Sequence, residues 1–408
     1  MSLPGRHARN PCGLRGKDMK TELHNPLPFP DAEYQQRVAK IRAQMRERGL
    51  DALLICVPQN YYYLTGFLTG CAHSLMFLVL PLKGDPLWIT RKTEMSNVRA
   101  LAPHMWAKQG IGVADSEDPI AVLAQSLRDM GFDRARLGIE KAALFFTIAQ
   151  YEQLTALLPD ATFHDITGLI EYERQVKSDR ELDHMRRAGA ITSRAIEAGY
   201  NLLKEGVTDS DLVAAMLSRA IHDGGDRMGM LPFVSAGSRS YCAHASWIGA
   251  PIGRGEIVNA EMAGAYRAYH VPVFRVFSIG QPSDAVLRMQ EASEAGLHAG
   301  LEGIRVGMTS HEADRVVRSA IERKGYGENF VVRAAYGLGV AVAPGWGEPA
   351  VMQIMPEDQR VLAPGMCFHL VPAIYVEGVG CVCCSMPLIM TETGIERLTD
   401  LEPKLFVK

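Results

Sequence analysis

Four side chains in the second half of the chain have types suited to hydrolysis: His244, Glu261, His270 and Glu348. His244 lies in the loop sequence CAHAS, after a Gly and a Ser. Imidazole titrates near neutrality, so such a histidine can take a proton from water and return it. Glu261 lies inside the apolar stretch IVNAEMAGA, where a carboxylate is tolerated only with a partner or a task. The plainer alternative for it is a structural pair with Arg275 or Arg267. Residues 259–280 read as a β-hairpin with Gly264 to Arg267 near its turn. Side chains alternate along strands, so His270, Pro272 and Phe274 share one face, and Glu261 and Ala263 share a face of the partner strand. If the inner faces meet, Glu261 and His270 line one pocket. For His270 the alternative is a core hydrogen bond to a neighbouring strand. Glu348 follows Trp346-Gly347 and is either a second carboxylate of the site or a turn residue. Trp346 is a candidate wall of the pocket. Tyr336 suits a wall with a useful hydroxyl better than an acid, because a free phenol titrates near 10. Arg275 is a candidate substrate contact whose better fit is to orient the hairpin through carbonyls or a carboxylate.

The elements that must hold these residues can be read from periodicity. In the first half, Val38, Ile41, Met45 and Leu50 recur at helical spacing from an expected cap at Asp31, and ALLIC at 52–56 reads as a buried strand. FLVLPL (77–82), a helix from Asp118 through Met130, RLGIE (136–140), a helix around 146–157 and a strand near 161–164 continue the alternation. This is an α/β domain. The second half repeats itself weakly at an offset of 101, pairing Gly206 with Gly307, Thr208 with Thr309, Asp211 with Glu312 and Gly224 with Gly325. In each copy a threonine followed three residues later by an acid is a capping box that opens an amphipathic helix. A long helix precedes each copy, over 178–204 and 283–303, and Gly/Pro-punctuated strand sequence follows. Two helix-helix-sheet halves place a pocket between the copies. The expected organisation is therefore a flexible arm over residues 1–27, an α/β domain over 28–170 and a catalytic domain over 171–408.

Composition narrows the partners. With 43 Lys and Arg against 46 Asp and Glu there is no global basic field, which argues against nucleic acid or an anionic membrane as the main partner. No apolar run reaches the roughly 18–20 residues that span a bilayer. The basic start of the chain is followed by polar KTELHN, so it does not read as a secretory signal. The eight cysteines are scattered through apolar stretches and fit reduced core thiols in the cytoplasm. CVCC at 381–384 lacks a second CxxC and alternates like a strand, so it is not read as a zinc site.

Several stretches together resemble the superfamily of methionine aminopeptidase, aminopeptidase P, prolidase and creatinase. They are NYYYLTGF (60–67), RQVKSDRELDHMRRAG (174–189), LAPGMCFHLVPAIYV (362–376) and TETGIERLT (391–399). The resemblance covers nearly the whole chain. It implies a creatinase-like N-terminal α/β domain followed by an α+β "pita-bread" domain with internal pseudo-two-fold symmetry. In the metallopeptidases of this superfamily two metals are held by two Asp, a His and two Glu. Those positions fall here at Glu261, Pro272, Tyr336, Val371 and Ser385. One carboxylate cannot hold two bridged metals, so the resemblance implies no metal and no cofactor.

Creatinase is a metal-free member, and the motifs Glu261-Ala263-Gly264, Tyr269-His270-Pro272-Arg275, Pro344-Trp346-Gly347-Glu348 and Pro364-Gly365-Met366-Phe368-His369 are similar to the ectoine hydrolase branch. Where creatinase has a Glu just before the hairpin Arg, this chain has Phe274. His244 falls on creatinase's acid/base histidine. The implied reaction is metal-independent hydrolysis of a C–N bond in a small zwitterion. His244 activates water, Glu261 and Glu348 clamp a cationic amidine or guanidine, and His244 or His270 protonates the leaving nitrogen. The family pattern also implies a homodimer in which the N-terminal domain covers the partner's active site, bringing residues 60–67, and Tyr63 among them, to substrate. Two rival readings are an Xaa-Pro dipeptidase with an irregular metal site of His244, Glu261, His270 and Glu348, and a catalytically silent metabolite-binding homologue.

Overall fold

A computed structural model describes residues 27–71 and 74–408. The expected arm lies, apart from Leu27, outside the described residues. The first half builds a six-stranded mixed sheet. Its central strand Ala52–Ile55 pairs antiparallel with Phe77–Pro81 and parallel with Arg136–Ile139. The opening helix Asp31–Arg48 is capped by Pro30 instead of Asp31, and Gly49 closes it at φ +63, a conformation glycine adopts without a Cβ clash. Asp118 does cap its helix, accepting from the backbone N–H groups of Ile120 and Ala121.

The second half has two helix pairs, each backed by a sheet. Helices Asp179–Leu202 and Asp209–His222 cover the four-stranded sheet that contains the long hairpin Ile257–Tyr266 and Tyr269–Ser278. Helices Asp284–Gly303 and Ser310–Arg323 cover a five-stranded sheet built around Cys367–Leu370 and Met386–Thr391. Both expected capping boxes are present, Thr208 with Asp211 and Thr309 with Glu312. The fold is a creatinase-like α/β domain followed by a pita-bread domain.

One apolar core runs from the N-terminal sheet into the hairpin and includes Tyr61, Leu64, Tyr269, Val271 and Val340. A buried polar chain crosses the same junction. Glu140 accepts from the N–H groups of Cys56 and Val57 and from Asn60 Nδ2, all at 2.6 Å, and Asn60 Oδ1 accepts from Arg174 Nη1 at 2.6 Å. Arg174 in turn pairs with Glu348. Each charged group is paired with the next, so no charge crosses the interface unpaired, although Arg174 Nε is buried without a hydrogen-bond partner.

Candidate active site

The hairpin turns at Arg267 and Ala268, both at positive φ (+51 and +62), the signature of a two-residue type I′ turn. Its register sets Glu261 opposite Phe274, Ala263 opposite Pro272 and Ala265 opposite His270. Directly opposed residues point to the same face, so Glu261 and His270 do share a face. They are nonetheless separated by four residues of strand, about 13 Å at the usual rise. On the other side of Glu261 the strand Phe233–Ala236 sets Phe233 directly opposite it.

Glu261 is the floor of the site. Its carboxylate makes no hydrogen bond or ion pair among the described residues, and burial alone pushes its pKa up to about 7. It acts electrostatically on Tyr336, Tyr375, Cys381 and Cys383, raising the pKa of each. Phe274, Cys381 and Cys383 form an apolar side wall together with Tyr375. The Phe233 ring stands between two others, 5.1 Å from His244 and 5.1 Å from Trp346.

His244 is exposed and has φ +56, in the left-handed region that His enters more readily than most residues. Its loop is tied at both ends. Asp209 accepts from the N–H groups of Ile248, Gly249 and Ala250 at 3.0, 2.8 and 3.1 Å, and Asn259 Nδ2 donates to Ser240 O at 2.8 Å. A strained residue held by an anchored loop, with no hydrogen-bond partner for its imidazole among the described residues, is a feature of functional positions.

Trp346 and Tyr336, the candidate wall residues, are in direct contact. Trp346 Nε1 donates to Tyr336 Oη at 3.0 Å. Gly347 permits this approach, because a Cβ there would lie 2.6 Å from the Tyr336 ring. Tyr336 Oη also lies 2.8 Å from His369 Nδ1, and His369 Nε2 lies 2.7 Å from Ser385 Oγ. Burial and nearby Arg275 push the His369 pKa down to about 3, so its ring is neutral.

Four residues singled out in the sequence are used elsewhere. His270 is buried; Gly229 N–H donates to its Nε2 at 2.9 Å, so the proton is on Nδ1, which donates to Ala268 O at 2.8 Å. Burial pushes its pKa down to about 4, and both ring nitrogens are committed to backbone groups, bracing the loop at Gly229. Glu348 is buried in ion pairs with Arg174 and, at 3.0 Å, Lys177, which hold its carboxyl below the usual range despite burial. Arg275 spends its guanidinium on the carbonyls of Phe274, Ser385, Leu401 and Glu402, at 2.7–3.0 Å. Tyr63 is enclosed in its own subunit, its ring 4.1 Å from the Arg37 guanidinium and its Oη donating to Glu173 O at 3.3 Å. The helix Pro58–Thr65 buries it in the domain junction.

The structure also brings in residues that the sequence reading left without a role. Phe233 and His369 are two. Arg333 is the third: it is exposed, its guanidinium lies 5.1 Å from the Tyr336 ring centre, and it makes no ion pair or hydrogen bond among the described residues. Tyr336 thus lies within electrostatic reach of one carboxylate and one guanidinium.

The donors at the superfamily's metal positions do not fit a metal pair. Pro272 and Val371 offer no ligand atom, Tyr336 and Ser385 are hydrogen-bonded to His369, and Glu261 alone is uncommitted. Among the described residues no group of three or more His, Cys, Asp or Glu side chains is arranged to hold a metal ion.

Residues 183–392 match the metallopeptidase family M24, and residues 37–176 match the creatinase/prolidase N-terminal domain. The chain is 30% identical over 397 residues to an ectoine hydrolase of Halomonas elongata, covering 94% of this chain and 99% of that one. The chain belongs to family M24. It is a hydrolase acting on carbon–nitrogen bonds. It is also similar to an Xaa-Pro dipeptidase of Lactobacillus delbrueckii, 26% identical over 90% of this chain and 98% of that one. A recombinant prolidase from Thermococcus sibiricus shares the fold at a TM-score of 0.82 and 23% identity, covering 92% of this chain and 99% of that one.

Proposed function

We propose that this family member hydrolyses a C–N bond of a small zwitterionic amidine or guanidine without a metal, with ectoine as the first candidate and creatine as the second. The observation that carries the reading is Glu261, a half-buried carboxylate with no partner among the described residues, set opposite Phe233 of the Phe233, His244 and Trp346 ring cluster. An amidinium supplies the missing partner through charge-assisted N–H bonds. Arg333, uncommitted beside Tyr336, supplies the opposite charge for a substrate carboxylate. The similarity to an ectoine hydrolase supports the same substrate class, since ectoine is a cyclic amidine bearing a carboxylate.

In this reading His244 takes a proton from water while the water oxygen bonds to the amidinium carbon, whose C–N π pair moves onto nitrogen. Collapse of the adduct breaks one C–N bond as the departing nitrogen takes the proton back from His244, and the adduct's hydroxyl gives up its own proton, which ends on the released amine. The products are an amide and an ammonium group. The dipeptidase alternative required His270 and Glu348 as metal ligands, and both are spent on internal contacts. Exposed Leu231, Ile248 and Val331, within two to four residues of Phe233, His244 and Arg333, favour a homodimer that covers the mouth. A reducing, cytoplasmic setting is part of the proposal: the seven described cysteines are free and no described helix is long and apolar enough to cross a membrane.

The test is a panel of ectoine, hydroxyectoine, creatine and Gly-Pro, each with and without chelator, on wild type and His244→Ala. Turnover of an amidine or guanidine that survives chelation, with kcat reduced roughly 10²–10⁴-fold in the variant and KM little changed, is the expected result. Turnover of Gly-Pro abolished by chelator overturns it, and silence on the whole panel favours a metabolite-binding protein.

A further inference from the structure

The Tyr336 hydroxyl is held by more contacts than a pocket wall needs, and their distances fix which way its proton points. Ser385 Oγ accepts from Phe274 N–H at 2.8 Å and has one proton of its own to give. Two acceptors are in reach, His369 Nε2 at 2.7 Å and Phe274 O at 3.4 Å. Hydroxyl donors bond at about 2.5–3.0 Å, so the proton goes to Nε2. A neutral imidazole that accepts at Nε2 carries its proton on Nδ1, which then donates to Tyr336 Oη at 2.8 Å. Trp346 Nε1–H donates to the same oxygen at 3.0 Å. Both phenol lone pairs are then taken. The phenol proton is left free of the network, and Glu261 on the pocket floor lies within electrostatic reach.

We propose that Ser385 and His369 are positioning residues that fix the Tyr336 hydroxyl as a hydrogen-bond donor into the pocket, where it stabilises the oxygen that water adds to the substrate carbon. The opposite tautomer would present an acceptor there, which repels that oxygen. The network occupies Tyr336 and Ser385, two of the positions that hold metals in relatives, and supplies a fixed dipole to the same developing charge. The identity of the acceptor rests on the amidine-hydrolase reading; the direction of the network rests on the distances alone.

The experiment therefore has two arms. In intact protein labelled with ¹⁵N-histidine, the His369 resonances, assigned by their loss in His369→Gln, show a proton on Nδ1; a proton on Nε2 overturns the proposal whatever the substrate. In the kinetic arm Tyr336→Phe lowers kcat on the order of 10²-fold, the usual effect of removing one such donor. His369→Asn keeps an N–H in the Nδ1 place and retains kcat within about tenfold of wild type. His369→Gln reaches only Ser385 and falls as far as Tyr336→Phe. Melting temperatures are measured beside the rates, and equal losses of kcat in the Asn and Gln variants overturn the positioning role. An Nδ1 proton in an enzyme silent on every substrate of the panel overturns the amidine-hydrolase reading and supports the donor direction.

Discussion

Glu348 is a buried glutamate and Glu261 a half-buried one beside the same loop of aromatic residues, yet they behave in opposite ways. Glu348 has two cations within ion-pair distance, and its carboxyl is held low; Glu261 has none, and its carboxyl is pushed up to about 7. Desolvation raises both carboxyls, so the presence or absence of cations decides the direction. A paired carboxylate is a fastener, here joining the loop that carries Trp346 to the segment at Arg174 and Lys177. An unpaired one is left free to meet a cationic ligand.

The largest expected effect comes from breaking the fastener. Glu348→Gln leaves Arg174 and Lys177 buried against one neutral amide, and loss of one partner of such a pair costs about 3–5 kcal/mol. Chemical denaturation should show a loss of that order, with activity falling only as far as the folded fraction falls. A variant as stable as wild type with a specific loss of kcat would return Glu348 to the active site.

The next effect sharpens the contrast through pH. Between the ordinary carboxylate value near 4.3 and about 7, the folded chain keeps a proton on Glu261 that the unfolded chain has released. Stability contributed by this group is full below that window and declines as pH rises through it. Glu261→Gln cannot ionise, so it should melt with wild type at pH 4 and above it at pH 8. Glu348, held low, works in the other direction: its contribution is present above the ordinary carboxylate range and is lost as pH falls through its folded value. Identical melting profiles for wild type and Glu261→Gln across pH 4–8 would show that Glu261 has a partner after all.

The smallest effect concerns the histidines. His270→Gln can still accept from Gly229 N–H and loses one hydrogen bond to Ala268 O, worth about 1 kcal/mol. Its kcat should stay within a few-fold of wild type; a loss comparable to that of His244→Ala would restore a catalytic role to it.

The sequence carried the local devices well. Both capping boxes, the hairpin and the shared face of Glu261 and His270 follow from spacings of two to four residues. It did not carry distances along that face, so two residues on one side of a hairpin looked like neighbours while about 13 Å apart. Nor did it carry pairings over long separations: Glu348 meets Arg174 and Lys177 more than 170 residues away, and nothing in GWGEP announces them. Arg333 gave no signal because a single arginine before AAY has no periodicity to read. His369 was legible in principle, since it alternates with core residues Phe368 and Leu370 on one strand and so faces away from them, toward Tyr336.

The most direct test of the contrast is calorimetric titration of ectoine into wild type and Glu261→Gln at pH 8, with melting curves taken on the same samples. The account predicts that wild type binds, that the variant binds at least about tenfold more weakly for loss of a charge-assisted bond, and that the variant melts no lower. Equal affinity in the two proteins, or a Glu261→Gln variant that binds normally and melts earlier, would contradict it.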